Sequence, residues 1–129
     1  MQLIGVIHLP PLPGSPRAVP TADALAWARA DAEAYLAGGV DALIVENFGD
    51  APFWPDRVEP ITVAAMTRAV DAVIAVAGDT RVGVNVLRND AMSALSIAHA
   101  CGAAFVRVNV HVGAVVADEN MIYGVTFKT

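Results

Sequence analysis

With one cysteine, Cys101, the chain can form no internal disulfide, and this scarcity suits a reducing, cytoplasmic setting. Aromatic residues are scarce too, at 6%, and 8 Lys and Arg face 13 Asp and Glu, for a net charge of −5. There is no basic run and no interleaving of Arg with aromatics, so nucleic acid is not an expected partner. No apolar stretch reaches the roughly 18 to 20 residues that cross a bilayer before Asp, Glu, Arg or Pro interrupts it, and no transmembrane segment is expected. Met1-Gln2 lacks the basic start of a secretory leader. The first apolar run is followed by L-P-P-L-P-G-S-P instead of G-x-G-x-x-G, which argues against a dinucleotide fold and leaves any cofactor unassigned.

What is present is small and apolar. Hydrophobic residues make up 56% of the 129 residues, mostly Ala and Val, which is the material of buried parallel strands and closely packed helices in one domain. Apolar, β-branched runs at 3–8, 40–47, 82–86 and 105–111 predict four strands. Each is followed by a polar or proline-rich stretch. Thr21 can cap a helix whose apolar stripe is Leu25, Ala28, Ala32, Tyr35 and Leu36, closed by Gly38-Gly39. Pro60 suits the first turn of a second helix, with Val63, Met66, Val70, Val73 and Ile74 inward, ending near Gly78. Asn89 or Asp90 can cap a third, running to about Ala100 with Leu95 and Ala98 inward.

Strand–helix units repeated without any hairpin signal predict a parallel α/β sheet with right-handed crossovers, and four such units are half of a TIM-type (β/α)8 barrel. After Ala117 the pattern is lost: residues 118–120 could start a helix, and 118–129 reads as an irregular tail. By strand parity one face collects Ile4, Val6 and His8; Ala42, Ile44 and Glu46; Gly83, Asn85 and Leu87; and Arg107, Asn109 and His111. Every strand then ends on a polar group at the barrel mouth. Such groups form either a small-molecule site or a satisfied polar network with Glu46 paired to Arg107. In the site reading Glu46 or His8 moves a proton, and Asn85, Asn109 and Arg107 hold an oxyanion or sugar hydroxyls. Arg88 and Asn89 either bind an anion at the third helix N-terminus or serve its capping. His8, Glu46 and His111 lack close ligand spacing, and no metal is expected. Asn47, Gly49 and Asp50 shape the second loop, and Phe53-Trp54 make a lid or packing patch. Cys101 and Arg107 in C-x5-R, with W-P-D at 54–56, imitate a cysteine phosphatase, but a helix precedes this cysteine and a strand follows it, the reverse of that enzyme's order.

The blocks I-G-V-I-H-L-P-P-L-P-G-S-P at 4–16, G-G-V-D-A-L-I-V-E-N-F-G-D-A-P-F at 38–53, P-I-T-V-A-A-M at 60–66, G-V-N-V-L-R-N-D at 83–90 and F-V-R-V-N-V at 105–110 together resemble the BtpA/SgcQ family. The resemblance implies a ribulose-phosphate-binding type of barrel and a photosystem I biogenesis factor that works at the thylakoid surface, with peripheral membrane association. It also implies an older metabolic role, as family members occur without photosynthesis. Only the N-terminal half of the family's length is matched, so the phosphate-gripping loops that follow strands seven and eight of a barrel are not expected among these residues, and no phosphate site is assigned. The competing expectations are a biogenesis factor, a barrel enzyme acting on a sugar phosphate or nucleoside-like molecule, and an incomplete product. Open sheet edges add the expectation of a homodimer.

Overall fold

The computed structural model of the chain describes residues 1–117 and 120–123. Its strands β1 (Ile4–His8), β2 (Ala42–Glu46), β3 (Arg81–Asn85) and β4 (Phe105–Arg107) form one parallel sheet in the order β1-β2-β3-β4. Helices α1 (Thr21–Ala37), α2 (Pro60–Ala77) and α3 (Ala91–Cys101) connect them. The strands lie side by side in sequence order, and α1 packs on α2 and α2 on α3 over a single core, so all three helices share one face, as crossovers of one hand require. That face holds the core. Ile7, Leu43, Val45, Val82 and Val84 turn toward the helices and are buried, each contributing about 1.5 to 3 kcal/mol.

The alanine content has a packing purpose. Ala24, Ala28 and Ala32 recur every fourth residue on the buried face of α1, and Ala65 and Ala69 do so on α2, so the helix backbones can approach closely. Gly5 serves the same end on the sheet. The Tyr35 ring lies where a Gly5 side chain would stand, and its hydroxyl donates to the Val6 carbonyl at 3.0 Å. By length and composition α2 passes as a membrane span, contrary to the sequence expectation, yet Met66, Val70 and Val73 are sealed in the core and α2 packs between α1 and α3. That burial is the behaviour of a core helix.

Several local expectations are corrected. Thr21 is the first residue of α1, not its cap; Pro20 holds the cap position and no side chain bonds there. Leu95 is exposed on α3, because the buried stripe runs through Ala94, Ile97 and Ala98, about 100° round the helix. β4 stops at Arg107 instead of reaching His111. The cause lies in Asn89, whose side chain accepts from the Val110 amide and donates to the Val110 carbonyl, both at 2.8 Å, drawing that segment off the ladder. A hairpin also exists where none was expected. β5 (Ala114–Ala117) and β6 (Asn120–Tyr123) pair antiparallel, which rules out a helix start at Asn120 and puts strand in part of the expected irregular tail. Residues 118, 119 and 124–129 of that tail lie outside the described residues.

At the C-terminal ends of the strands the loops are stitched together by buried side chains. Asn47 accepts from the Leu87 amide at 2.7 Å and donates to the Leu87 carbonyl at 3.4 Å, which ties the second loop to the end of β3. Asp50 accepts from the Leu12 amide at 2.7 Å and ties the second loop to the first. Gly49 makes that crossing possible, since a Cβ there would lie 2.5 Å from the Leu9 carbonyl oxygen and 2.6 Å from the Pro11 nitrogen.

Candidate functional site

The register of the sheet aligns one rung of polar residues. His8 pairs with Glu46, Glu46 with Asn85, and Asn85 with Arg107, so one residue from each strand stands in a row on the face away from the helices. The neighbouring helix-side positions Ile7, Val45 and Val84 belong to the core, which fixes the opposite direction for the rung. Beneath it the open face carries Val6, Ile44 and Gly83, and the Phe105 ring fills the space above Gly83 that any side chain would occupy.

Glu46 is the buried centre of this row. Its side chain is 7% exposed, against 51% for His8 and 52% for Arg107. His8 Nε2 lies 3.6 Å from Glu46 Oε1, and the Arg107 guanidinium lies 3.6 Å from Oε2. Those separations are too long for hydrogen bonds, though the Arg107 guanidinium still attracts the carboxylate, and Oε2 is buried with no hydrogen-bond partner. Asn85 repeats the pattern. Its amide nitrogen donates to the Arg107 carbonyl at 2.9 Å and to Asn109 Oδ1 at 2.8 Å, while its own Oδ1 is buried without a partner. Adjacent strands therefore hold two unsatisfied acceptors side by side. An orphaned buried acceptor costs on the order of 1 to 3 kcal/mol, and groups kept at that cost are the ones a ligand can satisfy.

This arrangement narrows the expected roles. Asn85 and Asn109 were expected to hold an oxyanion or sugar hydroxyls; the Asn85 N–H groups are spent on the protein and Asn109 accepts one of them, so Asn85 offers an oxygen, which suits hydroxyl donors and not an oxyanion. Arg88 and Asn89 were expected either to bind an anion at the α3 N-terminus or to serve its capping. There the Asp90 carboxylate already takes the Ser93 amide at 3.0 Å and would repel an anion, while the Asn89 side chain holds Val110. The Arg88 guanidinium lies over the Phe53 ring, 5.1 Å from its centroid. His8, Glu46, Asn85, Arg107 and Asn109 are thus brought together, and Arg88 and Asn89 are not part of the rung. Among the described residues no three His, Cys, Asp or Glu side chains converge to hold a metal.

A partner for His8 escaped the sequence reading. The Phe48 ring stacks on the imidazole at 4.4 Å with an interplanar angle of 21°, and Phe53 tilts against Phe48 at 6.4 Å. The signal was available in the spacing of Phe48 and Phe53 just beyond a strand. Cys101 is the opposite of a nucleophile: burial, with Asp71 beside it, pushes its thiol up to about 11, and the sulfur contacts the Thr67 carbonyl at 3.4 Å.

A profile of the BtpA family matches residues 1–129. The photosystem I biogenesis protein BtpA of Synechocystis sp. is 51% identical over 95% of this chain and 42% of its own length. An uncharacterized protein of Pyrococcus furiosus is 44% identical over 95% of this chain and 46% of its own, and an uncharacterized mitochondrial protein of Caenorhabditis elegans is 34% identical over the same shares. The chain spans about half the length of the curated relatives it matches. No solved structure matches it.

Proposed function

The chain belongs to the BtpA family, and we propose that it forms one wall of a TIM-type barrel that binds a neutral, hydrogen-bond-donating small molecule at its strand ends, where Glu46 moves a proton. The observation that carries this reading is the pair of buried, unsatisfied acceptors, Glu46 Oε2 and Asn85 Oδ1, on one rung. Two acceptors call for two donors, such as sugar hydroxyls or the N–H and O–H groups of a nucleoside. The strand order and the helices on a single face support the barrel wall, because barrel sites gather at the C-terminal ends of strands. Arg107, half exposed at the rim, supplies positive charge to the Glu46 carboxylate and to any group that takes up negative charge, and the equally exposed His8 lies on the other side of that carboxylate.

A thermal-shift panel tests the reading with a pentose, a hexose, a nucleoside, a sugar phosphate and inorganic phosphate. A neutral polyol or nucleoside should raise the melting temperature while inorganic phosphate alone does not, since native-state ligands stabilise by mass action. The second reading, a photosystem I biogenesis factor, draws on the 51% identity to the Synechocystis protein. It gains if every compound is silent while the chain restores photosystem I content in Synechocystis cells lacking their own BtpA. The likeness to a nematode protein favours the small-molecule reading, because a nematode has no photosystem.

Among the described residues no strand pairs with the outer edges of β1 and β4, which also supports association of two copies. Sedimentation equilibrium should give twice the 13.4 kDa chain mass, and a monodisperse monomer would count against it.

A further inference from the structure

A cavity of about 240 Å³ opens between the first and second loops, above the first turn of α2, and shares no lining residue with the Glu46 rung. Its walls are largely apolar, built from Phe53, Trp54, Val58 and Leu87 among others. Its polar groups are few. Thr62 spends its hydroxyl on the Pro13 carbonyl at 3.2 Å, and Asn47 spends its side chain on Leu87 and Asp50. That leaves Asp50 as the one charged residue among those that line the cavity.

Asp50 is 8% exposed, and each of its carboxylate oxygens takes one hydrogen bond, from the Leu12 amide at 2.7 Å and from Asn47 at 3.2 Å. Each oxygen keeps capacity for another. Among the described residues no cation pairs with it, and burial raises its carboxyl pKa despite the two donors. A buried carboxylate without a counter-ion is costly, and a cation arriving in the cavity would lift that cost. The aromatic wall suits the same visitor. Phe53 already takes the Arg88 guanidinium on its ring, and Trp54, the better π-donor, is 56% exposed.

We propose that this cavity binds a small organic cation, a primary or quaternary ammonium with an apolar body, using Asp50 as counter-ion and Phe53 and Trp54 as aromatic walls. Its volume lies below the ~300–1,000 Å³ of drug-sized sites, so the ligand is compact. The site requires nothing of Glu46 and stands whether or not the rung proves catalytic.

The chain has two tryptophans, so in a Trp27→Phe background the fluorescence reports Trp54 alone. Benzylamine, benzyl alcohol and benzoate share one ring and differ in charge. Benzylamine should shift the Trp54 emission saturably and bind at least tenfold more tightly than benzyl alcohol, with benzoate silent, which is the ratio expected of one charged hydrogen bond. Asp50→Asn, which keeps an acceptor for Leu12, should bring the amine and the alcohol level. Equal binding of both by the parent protein, a preference that survives Asp50→Asn, or no response to the amine would each overturn the proposal. If Asp50→Asn does not fold, Trp54→Ala on the exposed wall decides by calorimetry: a fivefold or greater loss of benzylamine affinity supports the site, and unchanged affinity overturns it.

Discussion

Replacing Asp90 with alanine should lower the unfolding free energy by on the order of 4 kcal/mol, a large share of the roughly 5 to 15 kcal/mol that holds a domain of this size. Asp90 is buried and gathers three donors that have no other use. One carboxylate oxygen takes the Ser93 amide at 3.0 Å, capping α3, and the other takes the Ser93 hydroxyl at 2.6 Å and the Val58 amide at 2.9 Å, pinning the end of the second loop. The cap alone is worth about 1 kcal/mol, and charge-assisted bonds run to about 1.5 to 3 kcal/mol each, less than additively. Alanine leaves the Val58 N–H buried without an acceptor. The loss therefore exceeds that of an ordinary cap, and because Val58 lines the cavity, the cavity should loosen with it. Urea denaturation followed by circular dichroism measures the change. Asp90→Asn, which keeps an acceptor for Ser93, should cost about half as much, and a loss below about 1 kcal/mol in the alanine variant would show that the loop is held by other means.

The sheet was legible because its strands carry their own grammar. Val82, Val84, Leu43 and Val45 sit in short β-branched or aliphatic runs that can only be buried strands between helices, and the parity rule placed His8, Glu46, Asn85 and Arg107 on one face, as the register does. Parity failed where the ladder ended. Leu87, two residues past the last residue of β3, lines the loop cavity instead of the open face, because its backbone is held by Asn47 from 40 positions away. Long-range side-chain bonds of this kind leave no periodic trace. The hairpin was missed for a related reason: its runs A-V-V-A and N-M-I-Y are strand-forming, but the two residues between them, Asp118-Glu119, include none of the glycine or asparagine that announces a tight turn. Which polar group donates and which accepts was not legible either. Asn85 has both functions in its amide, and only the positions of Arg107 and Asn109 decide that its oxygen is the one left over.

The account rests on the claim that the Glu46–Asn85 rung is held open for a ligand at the expense of stability, and Glu46→Gln separates that from a structural role. The substitution keeps the shape and removes a buried charge whose neighbours, the Arg107 guanidinium and the His8 imidazole, lie half exposed at 3.6 Å. Partners so exposed return little of the carboxylate's desolvation cost. The variant should therefore match the parent in urea unfolding or exceed it by about 1 kcal/mol, as substitutions that relieve a functional site do. Binding of the strongest neutral compound from the thermal-shift panel should weaken about 10- to 100-fold, the worth of one hydrogen bond to a charged group. Measured together on Glu46→Gln, unchanged or increased stability with lost ligand response is the expected result. A loss of more than about 2 kcal/mol with the ligand response intact would instead make Glu46 a structural member of the sheet and contradict the account.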